Sequence, residues 1–185
     1  SASTATASCD FLALLVEYVT RINIIQIKQI ISTASANSLA LTIDATGTGN
    51  LLIAGTATDG GRRVASVSDG TNSFSYATDT FSTQAPSSPN SYLEMWYLFS
   101  SSSGKTTITV TWEGAAGTFE KEIVFWEVSG FTSPAIDDAA AVASAVGNGS
   151  GVETGATVVT TSAIGFIAAY IYNQNSTTQN PKTGN

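Results

Sequence analysis

Lys105-Thr106-Thr107-Ile108-Thr109-Val110-Thr111-Trp112 is the stretch that decides the fold. In an extended chain successive side chains point to opposite faces. Thr106, Ile108, Val110 and Trp112 then share one face, and Lys105, Thr107, Thr109 and Thr111 share the other. An apolar face backed by a hydroxylated one is the pattern of an antiparallel strand, dry on one side and wet on the other. The residue types agree, because β-branched side chains suit a pleated surface.

The same period of two recurs on both sides of this stretch. Upstream, residues 92–99 set Trp96 and Leu98 against Met95, Tyr97 and Phe99. Downstream, residues 119–129 set Val124, Trp126 and Val128 against Ile123 and Phe125. Residues 38–43 alternate Leu39, Leu41 and Ile43 with Ser38, Ala40 and Thr42, and residues 22–31 and 50–57 read as apolar strands. Asp59-Gly60-Gly61 supplies a turn able to take positive φ, and Asp69-Gly70, between strands at 63–68 and 73–78, is a hairpin-like signal. Pro86 and Pro89 make residues 84–90 a loop, and the small residues of 139–155 read as a longer one. Residues 156–162 and 164–172 close the series. Roughly nine to eleven short strands without a convincing interior helix predict an all-β protein. The expected architecture is an antiparallel β-sandwich, jelly-roll-like or immunoglobulin-like. Residues 1–21 form an N-terminal extension, 22–173 the sandwich and 174–185 a polar tail.

Composition narrows the function. The chain has 185 residues, a length that suits one sandwich domain. Its net charge is -7, with seven scattered Lys and Arg and no basic stripe to track phosphates, so no nucleic acid is expected as a partner. Histidine is absent, which removes the commonest general base and transition-metal ligand. The lone Cys9 permits no intrachain disulfide. No membrane span is expected, because the most apolar run, residues 11–31, is broken by Glu17, Arg21, Asn23, Gln26, Lys28 and Gln29. Ser8-Cys9-Asp10 faintly resembles a lipoprotein cleavage site but lacks a preceding hydrophobic run.

A set of short motifs occurs in order. They are Gly49-Asn50-Leu51-Leu52-Ile53, Val67-Ser68-Asp69-Gly70-Thr71-Asn72 followed by Phe74, Met95-Trp96-Tyr97, Gly104-Lys105-Thr106-Thr107-Ile108-Thr109-Val110, and Trp126-Glu127-Val128-Ser129-Gly130. Together they resemble a widespread β-sandwich module of bacterial, archaeal and phage surface proteins, over about residues 39–172. The resemblance implies a jelly-roll-like or immunoglobulin-like sandwich in an extracellular, cell-surface or virion-surface role, without catalytic residues. The chain departs from the module twice. The module continues with at least one more strand, and it does not require the apolar segment 11–19.

A sandwich short of an edge strand exposes an apolar groove and unpaired backbone groups. An apolar strand from a neighbouring copy can fill such a groove by β-strand addition. Repeated head to tail, that contact builds an open homopolymer. Residues 11–19 are the candidate donor, with Phe11 at the start and Leu12, Leu14, Val16 and Tyr18 as the groove-facing set. Two other readings stand beside it. The segment can be a strand of its own domain, or a short helix capped by Asp10 with Leu12, Leu15, Val16 and Val19 on one face.

Other chemistry has thinner support. Glu94, Glu122 and Glu127 lie on expected strands without the close acidic spacing of sandwich-fold glycosidases. Glu94 and Glu127 are expected at edges or in solvent, or paired with Arg63 and Lys121. No cofactor is expected. Calcium is the one metal with candidate ligands, Asp137-Asp138 and the turn residues Asp59, Asp69 and Asp79, yet no loop has the required spacing. Trp112 and Trp126 are expected in the core. Tyr170 and Tyr172 share a strand face and form a possible glycan platform, while Asn148 and Asn175 fit the N-glycosylation pattern. Gly104-Lys105-Thr106 lacks the upstream glycine of a phosphate loop. The expected function is a non-catalytic subunit of an extracellular filament, pilus-like fibre or surface layer. The alternatives are a carbohydrate-binding adhesive module of a larger secreted protein, and a phage decoration or fibre protein.

Overall fold

The structure is a computed structural model that describes residues 22–82 and 91–131. Eight strands run through them: β1 (Asn23–Ser32), β2 (Ser38–Thr42), β3 (Leu51–Thr58), β4 (Val64–Ser68), β5 (Ser75–Ser82), β6 (Ser91–Leu98), β7 (Thr107–Trp112) and β8 (Lys121–Ser129). No helix occurs among the described residues. The strands fall where side-chain alternation places them, except that β5 runs on past residue 78 to Ser82.

The strands form two antiparallel sheets, β1-β8-β3-β6-β5 and β2-β7-β4. Their pairing is nested. β1 pairs with β8, β2 with β7 and β3 with β6, and a bridge between Ser68 and Ser73 joins the end of β4 to the approach to β5. These nested pairs are jelly-roll-like, and β5 departs from a fully nested order by pairing with β6 and not with β4. Sequence neighbours pair within one sheet only at β5–β6; every other connection crosses between sheets.

Asp69-Gly70 closes the hairpin-like turn expected from its residues, with Ser68 bridged to Ser73 and the Phe74 N–H donating to the Val67 carbonyl. Asp69 Oδ1 accepts the N–H groups of Thr71 and Asn72, and Gly70 takes φ +88°. This tight turn reverses the chain but does not choose its next partner. After a single bridge, β5 leaves β4 for β6.

The interior lies between the sheets. Leu41 and Ile43, Leu52 and Ala54, Val64 and Val67, Phe74, Ile108, Val110 and Trp112, and Phe119, Ile123 and Phe125 form one buried cluster. Trp112 is in this core, as its alternation predicted. Trp126 is not: it sits half-buried on the opposite face of β8.

That opposite face is also apolar. Leu51, Ile53 and Val128 are buried on the outside of the larger sheet, with Ile22, Met95, Tyr97, Phe99, Trp126 and Phe131 packed around them. β3 is accordingly buried at every position. Its sequence, Leu-Leu-Ile-Ala-Gly-Thr-Ala-Thr, is the near-continuous apolar run of a strand covered on both faces.

Candidate functional site

The acidic side chains that a hydrolytic site would need are committed inside the fold. Glu94, Glu122 and Glu127 are all buried, contrary to the solvent or edge positions expected for Glu94 and Glu127. Glu127 clamps the connection from β2 to β3. Its Oε1 accepts from the Gly47 N–H at 2.7 Å and the Asn50 Nδ2 at 2.6 Å, and its Oε2 accepts from Gln26 Nε2 at 2.6 Å. Three donors replace the water that the carboxylate loses, as a buried charge requires. Gln26 is itself held on two sides, because its Nε2 donates to the Asp44 carbonyl and its Oε1 accepts the Asp44 N–H. A Cβ at Gly47 would lie 2.6 Å from Asn50 Nδ2, so a side chain there would push that amide from its place beside Glu127.

Glu94 plays a similar part at the other end of the sandwich. Its Oε2 accepts from the Val64 N–H and from Trp96 Nε1, both at 3.1 Å. Glu122 accepts from Gln29 Nε2 of the neighbouring strand. None of these carboxylates faces a second one across a cleft in the described residues.

Lys121 is the buried cation, and it is not paired with Glu94 or Glu127. Its Nζ donates to the carbonyls of Ala34, Phe119 and Gly117, and it lies 3.8 Å from the centre of the Phe119 ring. Burial pushes its pKa below the ordinary lysine value, the Arg62 charge acts in the same direction, and Asp59 opposes them. Burial works to raise the Asp69 pKa. The N–H groups of Asn72 and Thr71, the Asn72 amide and the Lys105 charge outweigh it and hold the carboxyl below its ordinary value. Asp59 Oδ1 accepts the Glu120 N–H. Asp69 thus builds a turn, and Asp59 ties the end of β3 to the approach to β8. Among the described residues no three His, Cys, Asp or Glu side chains gather as a metal site.

Among the described residues, the β1 edge of the larger sheet is a feature without an internal role. β1 is ten residues long and, from Ile24 onward, pairs only with β8 among the described residues. Ile24, Ile27 and Ile31 point to the outer face and Ile25 occupies the bulge between Ile24 and Gln26. They are 49%, 43%, 51% and 53% exposed, respectively. Among the described residues, Tyr76 is the other large apolar side chain left this open. The isoleucines continue the outer apolar cluster to the rim of the sheet. A long, apolar edge without a second partner among the described residues is a template for a further strand.

The other edges are modified. In β4, the Val64 N–H is taken by Glu94 and the Val67 carbonyl accepts the Phe74 N–H. Just beyond β2, both backbone groups of Asp44 are taken by the Gln26 amide, and Lys28 pairs with the Asp44 carboxylate at 2.9 Å. β5 reads Ser-Tyr-Ala-Thr-Asp-Thr-Phe-Ser and carries a bulge between Tyr76 and Thr78.

The expected donor residues Phe11, Leu12, Leu14, Val16 and Tyr18 lie outside the described residues. So do Tyr170, Tyr172, Asn148, Asn175, Asp137 and Asp138, and the strands expected at 156–162 and 164–172. The isoleucines of β1 were legible only as strand-formers. The available signal was that residues 22–31 carry isoleucine at both odd and even positions, which one buried face cannot absorb. Comparison with family models, with curated proteins and with solved structures gives no match. No described helix is long and apolar enough to cross a membrane.

Proposed function

We propose that this chain is a non-catalytic structural subunit of an extracellular filament or surface layer, which assembles from copies of itself by exchange of a donor strand. The observation that carries this reading is the open β1 edge with its four exposed isoleucines. A chain displaying such an edge gains by covering it, at about 25 cal/mol per Å² of apolar surface removed from water. The commitment of the buried Glu94, Glu122 and Glu127 to donors of the fold supports a structural role over a hydrolytic one. Residues 11–19 are the donor in this reading.

Negative-stain microscopy and sedimentation of the purified full chain test it. Long, uniform filaments or sheets that grow with concentration are the expected result. A monodisperse monomer at every concentration would sink the proposal. If that monomer bound a glycan array, the adhesive-module reading would replace it.

A further inference from the structure

We infer that the β1 edges of two copies pair antiparallel across a two-fold axis at Gln29, joining their larger sheets into one. This contact rests on the reading above that copies associate, and it gives the β1 edge a second β1 as its occupant. A donor strand then serves a separate contact.

Among the described residues the two sheets end at β1, β5, β2 and β4. β1 offers the longest regular edge of the four. Past its bulge, residues 26–32 hold an unbroken register with β8 from Glu127 to Lys121. β5 is bulged between Tyr76 and Thr78, β4 is bulged between Val64 and Ser66, and β2 is five residues long. Roughly half of the backbone groups along a strand with one partner point away from it, and they are a template for another chain.

The faces of β1 fix the register. Ile27, Gln29 and Ile31 lie on the outer face, with Trp126 and Val124 of β8, and Gln26, Lys28, Ile30 and Ser32 lie on the inner face. Residues directly opposite in an antiparallel pair share a face, so a two-fold pair sets outer against outer and inner against inner. Centred on Gln29, the whole of residues 26–32 finds a counterpart. Ile27 lies opposite the partner's Ile31, Lys28 opposite the partner's Ile30 and Gln26 opposite the partner's Ser32. The exposed Ile27 and Ile31, 43% and 51% open in the single chain, then meet twice as apolar cross-strand pairs.

Neighbouring registers lose these matches. Centred on Lys28, the pair would set two lysine charges directly opposite, which is destabilising, and Ile31 would fall beyond the regular stretch. Centred on Ile30, Ile27 would fall beyond it. In the Gln29 register each Lys28 keeps the Asp44 carboxylate of its own copy, 2.9 Å away. The contact is isologous and closes on two copies, so extension into a filament needs a second surface.

Full-length chains in a Cys9→Ser background test the register. Ile27→Cys, Ile31→Cys and a chain carrying both changes are checked for folding by far-ultraviolet circular dichroism, sedimented and then oxidised. The chain with both changes should run as a covalent dimer and nothing longer. An equal mixture of the two single variants should give a mixed dimer. Each single variant alone should stay at the monomer band, because like positions lie four residues apart along the pair, roughly 13 Å, beyond the reach of a disulfide. Dimers from the single variants at the yield of the mixture would overturn the register. A ladder from the chain with both changes would replace the two-fold contact by a head-to-tail one. Assemblies that sediment but do not cross-link would exclude β1 as the contact and leave the assembly reading standing. A chain that sediments as a monomer at every concentration would remove both.

Discussion

Replacing Glu127 by alanine tests whether the buried carboxylate holds the β2–β3 connection to the sandwich. The change removes the acceptor for three donors, the Gly47 N–H, Asn50 Nδ2 and Gln26 Nε2, all within 2.7 Å. Each hydrogen bond to a charged group is worth about 1.5–3 kcal/mol, but the three share one residue and do not add. Alanine also relieves the cost of burying the charge. Removal leaves three neutral donors without an acceptor, each costing about 1–3 kcal/mol if it stays unsatisfied, so a net loss of about 3–5 kcal/mol is expected. With a urea slope of about 2 kcal/mol per M, the midpoint should fall by about 2 M. Glu127→Gln refines the test. Gln26 cannot turn its amide to receive the new N–H without losing its paired bonds to Asp44. One contact of the three then becomes donor against donor, and a loss of about 1–3 kcal/mol follows. The assay is equilibrium urea unfolding of the full chain followed by tryptophan fluorescence. A loss below about 1 kcal/mol for Glu127→Ala, at unchanged slope, would refute the clamp and imply that water takes the place of the carboxylate.

Three further outcomes are expected. Phe125→Ala empties a fully buried ring site between the sheets and should cost about 3–5 kcal/mol in the same unfolding assay; a cost under about 1 kcal/mol would contradict the packing described. Because the folded-state pKa of Lys121 lies below 10.5, the unfolded chain binds the proton more tightly, so stability should rise as pH climbs from the folded value toward 10.5. Lys121→Met should lack that alkaline rise, and an equal rise in both chains would exclude Lys121 as its source. Asp69, whose pKa is held below 3.8, should contribute stability at neutral pH that disappears as pH falls through its folded value. Asp69→Ala should cost about 1–2 kcal/mol near pH 7 and nothing at a pH well below that value, as read from acid and neutral unfolding curves.

Strand positions were legible because the alternation signal is local. Ile108, Val110 and Trp112 are buried in one core, as their spacing required. The connections were less legible. Asp69-Gly70 closes the expected hairpin-like turn, but the same residues serve whether the next strand stays in one sheet or crosses to the other, as β5 does. The acids were misplaced for a related reason. Nothing near Glu127 in sequence announces Gln26, Gly47 or Asn50, which reach it only after β1, β3 and β8 have aligned. Without those donors, solvent is the reasonable address for a glutamate.

The amino-acid order by itself determined that this is an all-β chain of short antiparallel strands, because a side-chain period of two depends only on residues next to one another. It also excluded histidine chemistry and an internal disulfide, which composition alone decides. Tertiary structure decided the nested pairing of β1 with β8, β2 with β7 and β3 with β6, the buried clamps around Glu127 and Lys121, and which described strand lies at the rim. Those outcomes depend on partners far apart in the chain. An isoleucine on a central strand and one on an edge strand are the same letter, and only the presence or absence of a neighbour leaves the second exposed.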